Sequence, residues 1–274
     1  MHFREYGLKE GPLLVCVPGL LGGPDDFAHM LDSWGQKFKI AVIDPHHERR
    51  EQGINNLSAQ VVQEISFNST SDEIAQVIQR LGSKAAYLVG ISLGGKIVYD
   101  FAHKYPSLFA GGVISDVGPA PFESSDLYKF IDTTVAAIDL NLPWPELKQK
   151  LQVDIPERNL RILIQSQISY PEQTPPGIWK IGMRNFRTML ERQAIADQFE
   201  ALYKVDNQLI SQKSILHVLH AARLSGIASD SLPNIRKLKS IQLHFVPDAS
   251  HFLHVTHKDT ISNLVLQLHV TGSA

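Results

Sequence analysis

The sequence predicts an α/β fold, a doubly wound and mainly parallel sheet with a helical cap inserted into it. Two observations lead there. Short apolar runs, such as residues 13–17 (LLVCV) and 85–89 (AAYLV), alternate with amphipathic helical stretches up to residue 116, and strand signals return at residue 214. Between them, from Val117 to about Lys213, the alternation gives way to helical stripes broken by prolines. The expected division is therefore a core of residues 1–116 and 214–274 and a cap of residues 117–213.

The chain has 274 residues, 43 % hydrophobic and 20 % charged, with a net charge of −2. That balance offers no basic surface for nucleic acid or an anionic membrane. The first residues, MHFREYGLKEGPLL, carry charges of both signs and no apolar run before Leu13, so neither a leader nor an anchor is expected and the cytoplasm is the default. The only cysteine, Cys16, lies in an apolar strand, where a structural thiol is expected.

The strand at Leu13–Val17 leads into a Gly-rich loop, Pro18-Gly19-Leu20-Leu21-Gly22-Gly23-Pro24, and then a helix through Phe27, Met30, Leu31 and Trp34. A second strand, residues 39–43, ends at Asp44-Pro45, and the charged stretch Glu48 to Gly53 reads as a surface loop. Thr70, Ser71 and Asp72 offer N-caps to a helix carrying Ile74, Val77, Ile78 and Leu81 on one face.

Next comes Gly90-Ile91-Ser92-Leu93-Gly94-Gly95, between the apolar run and a helix with Ile97, Val98, Phe101, Ala102 and Tyr105 at helical spacing, stopped by Pro106. A serine at such a strand-to-helix turn projects its hydroxyl from the sheet, and the crowded backbone leaves room only for glycine two residues to either side. The stretch reads as a nucleophile elbow. A further strand, residues 111–115, ends at Asp116.

In the cap, Leu127, Phe130, Ile131, Val135 and Ile138 form one stripe. Leu160, Leu163, Ile164 and Ile168 form a second, and Phe186, Leu190, Ile195, Phe199 and Leu202 form one or two more. The breaks fall at Pro143 and Pro145, at Pro156 and at Pro171 to Pro176. Strands are expected again at residues 214–219 and 240–246. The second leads into Pro247-Asp248-Ala249-Ser250-His251, and a last helix carries Ile261, Leu264, Val265 and Leu268.

The elbow at Gly90 to Gly95, the Gly19-Leu20-Leu21-Gly22 loop, the mid-chain cap and Ser250-His251 together resemble the α/β-hydrolase superfamily over nearly the whole chain. Within it the chain looks most like the small capped carboxylesterases and thioesterases, in the branch that places the triad acid after the family's sixth strand. The resemblance makes Ser92 the nucleophile and His251, in the loop after the last strand, its base. The usual place for the acid reads His220-Ala221-Ala222-Arg223-Leu224-Ser225-Gly226, with no carboxylate and Ser225 at the expected position. Asp116, in Ile114-Ser115-Asp116-Val117-Gly118-Pro119, resembles the branch's Asp-x-x-Pro pattern and is favoured over Asp230, the alternative acid. A helix-capping or surface role is the competing reading of Asp116.

The oxyanion donors carry over to the backbone N–H groups of Leu20 and Leu93. Two departures stand out: Pro18 where the family has histidine, and Pro45-His46-His47-Glu48-Arg49-Arg50 where it has an Arg-Gly-His-Gly turn. The spacing of His251, His254 and His257 also allows a metal reading, without cysteine or acidic ligands to support it.

The activity implied is hydrolysis of a carboxylic ester or thioester with a short to medium apolar acyl group, through an acyl-enzyme on Ser92 and without metal or organic cofactor. The expected partner is a small-molecule acyl substrate, free or carrier-linked, with no nucleic acid or membrane involved, and the chain is expected to be a monomer or homodimer. The alternatives are a carbon–carbon bond hydrolase or lyase of cofactor biosynthesis on the same triad, and a hydrolase-like binding protein without turnover.

Overall fold

In a computed structural model of the chain, residues 1–19, 22–44, 67–139, 142–166 and 198–271 are described. The strands are β1 (Phe3–Gly7), β2 (Leu13–Val17), β3 (Lys39–Ile43), β4 (Ala86–Ile91), β5 (Phe109–Ser115), β6 (Leu216–Arg223) and β7 (Ile241–Ser250). They form one sheet in the order β1-β3-β2-β4-β5-β6-β7. Among the described strands only β1 is antiparallel to its neighbour; the remaining pairs are parallel. The chain steps from β2 to β3 on one side, then crosses to β4 on the other. The carboxyl ends of β2 and β4 therefore flank the switch point, where open α/β sheets place their ligands.

The described helices are α1 (Ala28–Trp34), α2 (Phe67–Arg80), α3 (Leu93–Lys104), α4 (Asp126–Ala137), α5 (Trp144–Asp154), α6 (Arg158–Ser166), α7 (Phe199–Ser211), α8 (Leu232–Ile235), α9 (Leu253–Thr256) and α10 (Lys258–Thr271). Because side chains alternate along a strand, a strand apolar on both faces must be covered twice. Leu13, Val15 and Val17 of β2 pack with Ile74 and Ile78 of α2, Ile97 and Phe101 of α3, and Leu202 and Leu209 of α7. Leu14 and Cys16 face the other way, toward Met30 and Trp34 of α1 and Ile261 and Val265 of α10. Cys16 is wholly buried there, and desolvation pushes its thiol pKa up.

A third cluster stands apart. Leu127 and Ile131 of α4, Leu147 and Leu151 of α5, Ile155, and Leu160 and Ile164 of α6 bury one another. The segment from residue 199 does not join them: Phe199, Leu202, Val205 and Leu209 belong to the sheet's own core. Helix α7, which lies within the stretch 117–213, therefore packs with the sheet and not with α4–α6. Both ends of the insertion meet on α3. The Gln198 N–H donates to the Pro119 carbonyl at 3.0 Å, and its Nε2 donates to the Lys96 carbonyl, also at 3.0 Å. The buried Lys96 ammonium donates to the Ala120 carbonyl.

One strand goes unannounced in the sequence, and one local expectation needs correction. Strand β1 has no wholly buried residue, and Phe3 and Tyr6 are its only partly buried ones, so no apolar run announces it. Thr70, Ser71 and Asp72 do not cap a helix, because α2 already runs from Phe67. The break expected at Pro143 and Pro145 falls between α4 and α5: Pro143 is the N-cap of α5 and Pro145 lies in its first turn, where the missing N–H costs nothing. The stripe residues Ile168, Phe186, Leu190 and Ile195, and the loop around His46 and His47, lie outside the described residues.

Candidate active site

Strand β4 ends at Ile91, and the next residue turns the chain sharply into α3. Ser92 has φ 51° and ψ −114°, a conformation rarely held by a residue with a side chain. Its neighbours explain how it is held. A Cβ on Gly90 would lie 2.6 Å from the Gly94 carbonyl carbon and the Gly95 Cα. The Ser92 N–H donates to the Ser115 carbonyl at 3.0 Å, and its carbonyl accepts from the Gly95 N–H at 2.8 Å. Strand, turn and helix thus fix the direction of the hydroxyl.

The register of the sheet sets the next member. Ile91 pairs with Ser115, so Ser92 and Asp116 leave adjacent strands side by side. Asp116 is fully buried, with φ 49°, and its N–H donates to the Leu219 carbonyl at 3.0 Å. Its carboxylate meets four donors. Oδ1 accepts from Ser225 Oγ at 2.6 Å and from the Ala221 N–H at 2.8 Å, while Oδ2 accepts from the Gly226 N–H at 2.9 Å. The fourth is His251 Nδ1, 2.9 Å from Oδ2.

His251 follows the end of β7 and is 6 % exposed. With Nδ1–H given to an ionised carboxylate, which can only accept, Nε2 carries the lone pair. Nε2 lies 2.8 Å from Ser92 Oγ. The hydroxyl proton thus faces a base whose opposite nitrogen is held by a buried anion. That arrangement can take the proton from Ser92 and return it to a leaving group.

Ser92, His251 and Asp116 are brought together. Asp230 is not; it sits exposed in the short Ser229–Ser231 turn. Leu93 opens α3, so its N–H is among those that a helix start leaves without an intrahelical partner. Leu20 lies outside the described residues, but the flanking Gly19 runs beside the elbow: a Cβ there would be 3.4 Å from the Ile91 oxygen and 3.7 Å from the Ser92 Cβ. The Gly22 N–H donates to the Gly19 carbonyl at 3.0 Å.

His254 and His257, which share the helical spacing with His251, do not join it around a common point. His257 Nδ1 lies 2.8 Å from Thr256 Oγ1, and His254 packs against Phe252. Burial, and then the nearby His251, pull the His254 pKa down to about 4, which keeps it neutral. Among the described residues no group of three or more His, Cys, Asp or Glu is placed to hold a metal ion. His217 Nδ1 and His244 Nε2 meet at 3.0 Å near the amino end of β6, away from Ser92. His220 stacks edge-on with Phe245.

Ser225 is the residue whose part in the site the sequence did not reveal. Its position marked it as the gap left by a missing acid. The structure makes it a hydrogen-bond donor to the carboxylate of Asp116.

Comparison with known proteins agrees with this architecture. A family model described as the alpha/beta hydrolase fold matches residues 12–158. The sn-1-specific diacylglycerol lipase ABHD11 of Danio rerio is 21 % identical over 94 % of this chain and 79 % of its own length. A putative carbamate hydrolase, RutD, of Serratia proteamaculans is 31 % identical over 39 % of each chain. Among solved structures, a marine microorganism esterase superposes with a TM-score of 0.65 at 18 % identity, covering 97 % of this chain and 98 % of that one. An E-2-(acetamidomethylene)succinate hydrolase gives 0.61 at 17 %, covering 98 % and 94 %. At these identities the structural likeness speaks for the fold alone.

Proposed function

The chain belongs to the alpha/beta hydrolase fold family, and from that premise we propose that it is a serine hydrolase cleaving a carboxylic ester or thioester with a short to medium apolar acyl group. The observation that carries the reading is the chain of contacts from Ser92 Oγ to His251 Nε2, 2.8 Å, and from His251 Nδ1 to Asp116 Oδ2, 2.9 Å. His251 takes the hydroxyl proton as Ser92 Oγ attacks the carbonyl carbon. The carbonyl π electrons move to oxygen, and the resulting oxyanion accepts hydrogen bonds from the N–H groups assigned to it, those of Leu93 and Leu20; one such donor is commonly worth about 3 kcal/mol of transition-state stabilisation. The intermediate collapses, the alcohol or thiol leaves with the proton from His251, and an acyl group remains on Ser92. Water, deprotonated by His251, then releases the acid and restores the serine. Asp116 holds the tautomer and stabilises the imidazolium.

The insertion supports the substrate class. Leu224 and Phe252, each next to a residue of the site, pack against the apolar cluster of α4–α6. An apolar cap that reaches the triad loops suits an apolar acyl group, and we assign the cap role to residues 117 to about 198. A relative named as a diacylglycerol lipase is consistent with an apolar ester. The substrate on this reading is a small acyl compound, free or carrier-linked, met in the cytoplasm without nucleic acid or membrane, by a monomer or homodimer that needs no cofactor. No described helix is long and apolar enough to cross a membrane.

The test is hydrolysis of p-nitrophenyl esters of graded acyl length by the wild type and by Ser92→Ala, with labelling by a fluorophosphonate probe. Turnover and labelling that both vanish in Ser92→Ala support the reading. A wild type that neither turns over esters nor takes the label overturns it, and turnover of β-diketones in place of esters moves the activity to carbon–carbon cleavage.

A further inference from the structure

Ser225 joins two parts of the molecule that the proposed mechanism treats separately. Its Oγ donates to Asp116 Oδ1 at 2.6 Å and accepts from the Ile227 N–H at 3.0 Å, so its hydrogen has one direction to point. Its carbonyl accepts from the Leu127 N–H at 3.1 Å. Leu127 lies in the first turn of α4, where N–H groups lack intrahelical partners, and its side chain is buried in the cap cluster. Leu224, just before Ser225, has φ 46° and packs on the same cluster; so does Phe252, just after His251. Ser225 itself is 5 % exposed.

We propose that Ser225 is a positioning residue that couples the helical insertion to the acid–base pair, a proposal that rests on the serine-hydrolase reading above. With the Ser225 hydroxyl in place, charge on Asp116 is shared between both oxygens. Without it, Oδ1 keeps only the Ala221 N–H, the negative charge concentrates toward Oδ2, and the charged imidazole is favoured. Movement of α4 changes the position of Ser225 through its carbonyl, and the acid follows.

The experiment uses the full chain with three variants, Ser225→Ala, Ser225→Thr and Leu127→Ala, each checked for folding by its melting curve. One readout is the pH profile of kcat and KM on a short p-nitrophenyl ester; the other is the far-downfield proton signal of the His251 Nδ1–H, which needs no substrate and is identified by its loss in Asp116→Asn. Expected are a fall of about tenfold in kcat for Ser225→Ala with KM within about twofold, an acid limb moved to higher pH, and a shifted signal. The hydroxyl of Ser225→Thr restores limb and signal. Leu127→Ala, which leaves the hydrogen bonds of Ser92, His251 and Asp116 intact, broadens or shifts the same signal. An unmoved limb and signal in Ser225→Ala overturn the proposal, and an unchanged signal in Leu127→Ala overturns the coupling to the cap. If Ser225→Ala does not fold, failure of Ser225→Thr to keep the wild-type signal, or of Leu127→Ala to change it, overturns the proposal instead. A wild type inert to esters and to fluorophosphonate sinks the hydrolase reading, while the proton signal still decides whether Ser225 and Leu127 are linked to His251.

Discussion

Gly94 stands where a methyl group would lie 2.1 Å from the carbonyl oxygen of Val17 and 2.7 Å from that of Pro18. The nucleophile helix and the end of β2 therefore touch backbone to backbone, and this contact sets the distance between the elbow and the Gly19 loop. Gly94→Ala has no flexible neighbour to push aside. It is expected to cost about 1–3 kcal/mol of stability or more and to lower kcat strongly, read by urea denaturation and ester hydrolysis. Retention of wild-type values would show that the two segments can separate.

Asp116→Asn replaces a carboxylate that accepts from four donors with an amide that has one acceptor oxygen and an NH₂ group facing N–H or O–H donors. We expect kcat to fall by about 10⁴-fold, with stability lowered as well, while Asp230→Asn stays within about twofold of wild type. Parallel ester assays and melting curves check both.

His217 is held down to about pKa 4, by burial first and the neighbouring His244 second, and His254 to about 4 by burial first and His251 second. Both are neutral in the folded state, whereas the unfolded chain takes up protons near the ordinary histidine value of about 6.5. Their contribution to stability is therefore complete above about pH 6.5, declines as pH falls toward 4, and levels off below that. The melting temperature should drop across this window, and His217→Gln and His254→Gln should each flatten the slope there. A slope unchanged in both variants would mean that other groups carry it.

Leu147 and Leu151 are wholly buried in the cap cluster and contribute nothing to the two clusters on the sheet. Leu151→Ala should cost about 2–5 kcal/mol locally. Limited proteolysis followed by mass spectrometry should show early cleavage within residues 126–166. Labelling of Ser92 by fluorophosphonate should persist while the preference among acyl lengths broadens.

How much of this was legible in the sequence follows from the range of the interactions. Leu13 to Val17 is apolar at every position because both faces of β2 are covered, and a local run shows that directly. The elbow is just as local, since the crowding that demands Gly90 and Gly94 comes from the turn itself and the adjacent strand. Asp116 drew attention as a strand-end carboxylate in the Asp-x-x-Pro pattern of the esterase branch that the chain resembles. What holds it was not legible: Ala221, Ser225 and Gly226 lie 105, 109 and 110 residues downstream, and no periodicity connects positions so far apart. Strand β1 escaped notice because an edge strand with two half-buried side chains resembles a polar loop. Pro143 and Pro145 marked the break between α4 and α5, but proline ends a helix in its interior and fits in the first turn, so the residue type alone does not say on which side of the boundary it lies.

The bond between the Gln198 N–H and the Pro119 carbonyl has a consequence for the history of such a chain. Whatever lies between those residues departs from and returns to one spot, so the sheet experiences the intervening segment as a single closed loop. The entropy of closing a flexible loop grows only with the logarithm of its length, about 0.6 kcal/mol for each doubling. So far as loop closure goes, changes of length between residues 120 and 197 cost the scaffold little, whereas an exchange that disturbs α4 reaches Ser225 through the Leu127 N–H. Substrate choice on this frame can drift through those parts of the segment whose change leaves α4 in place.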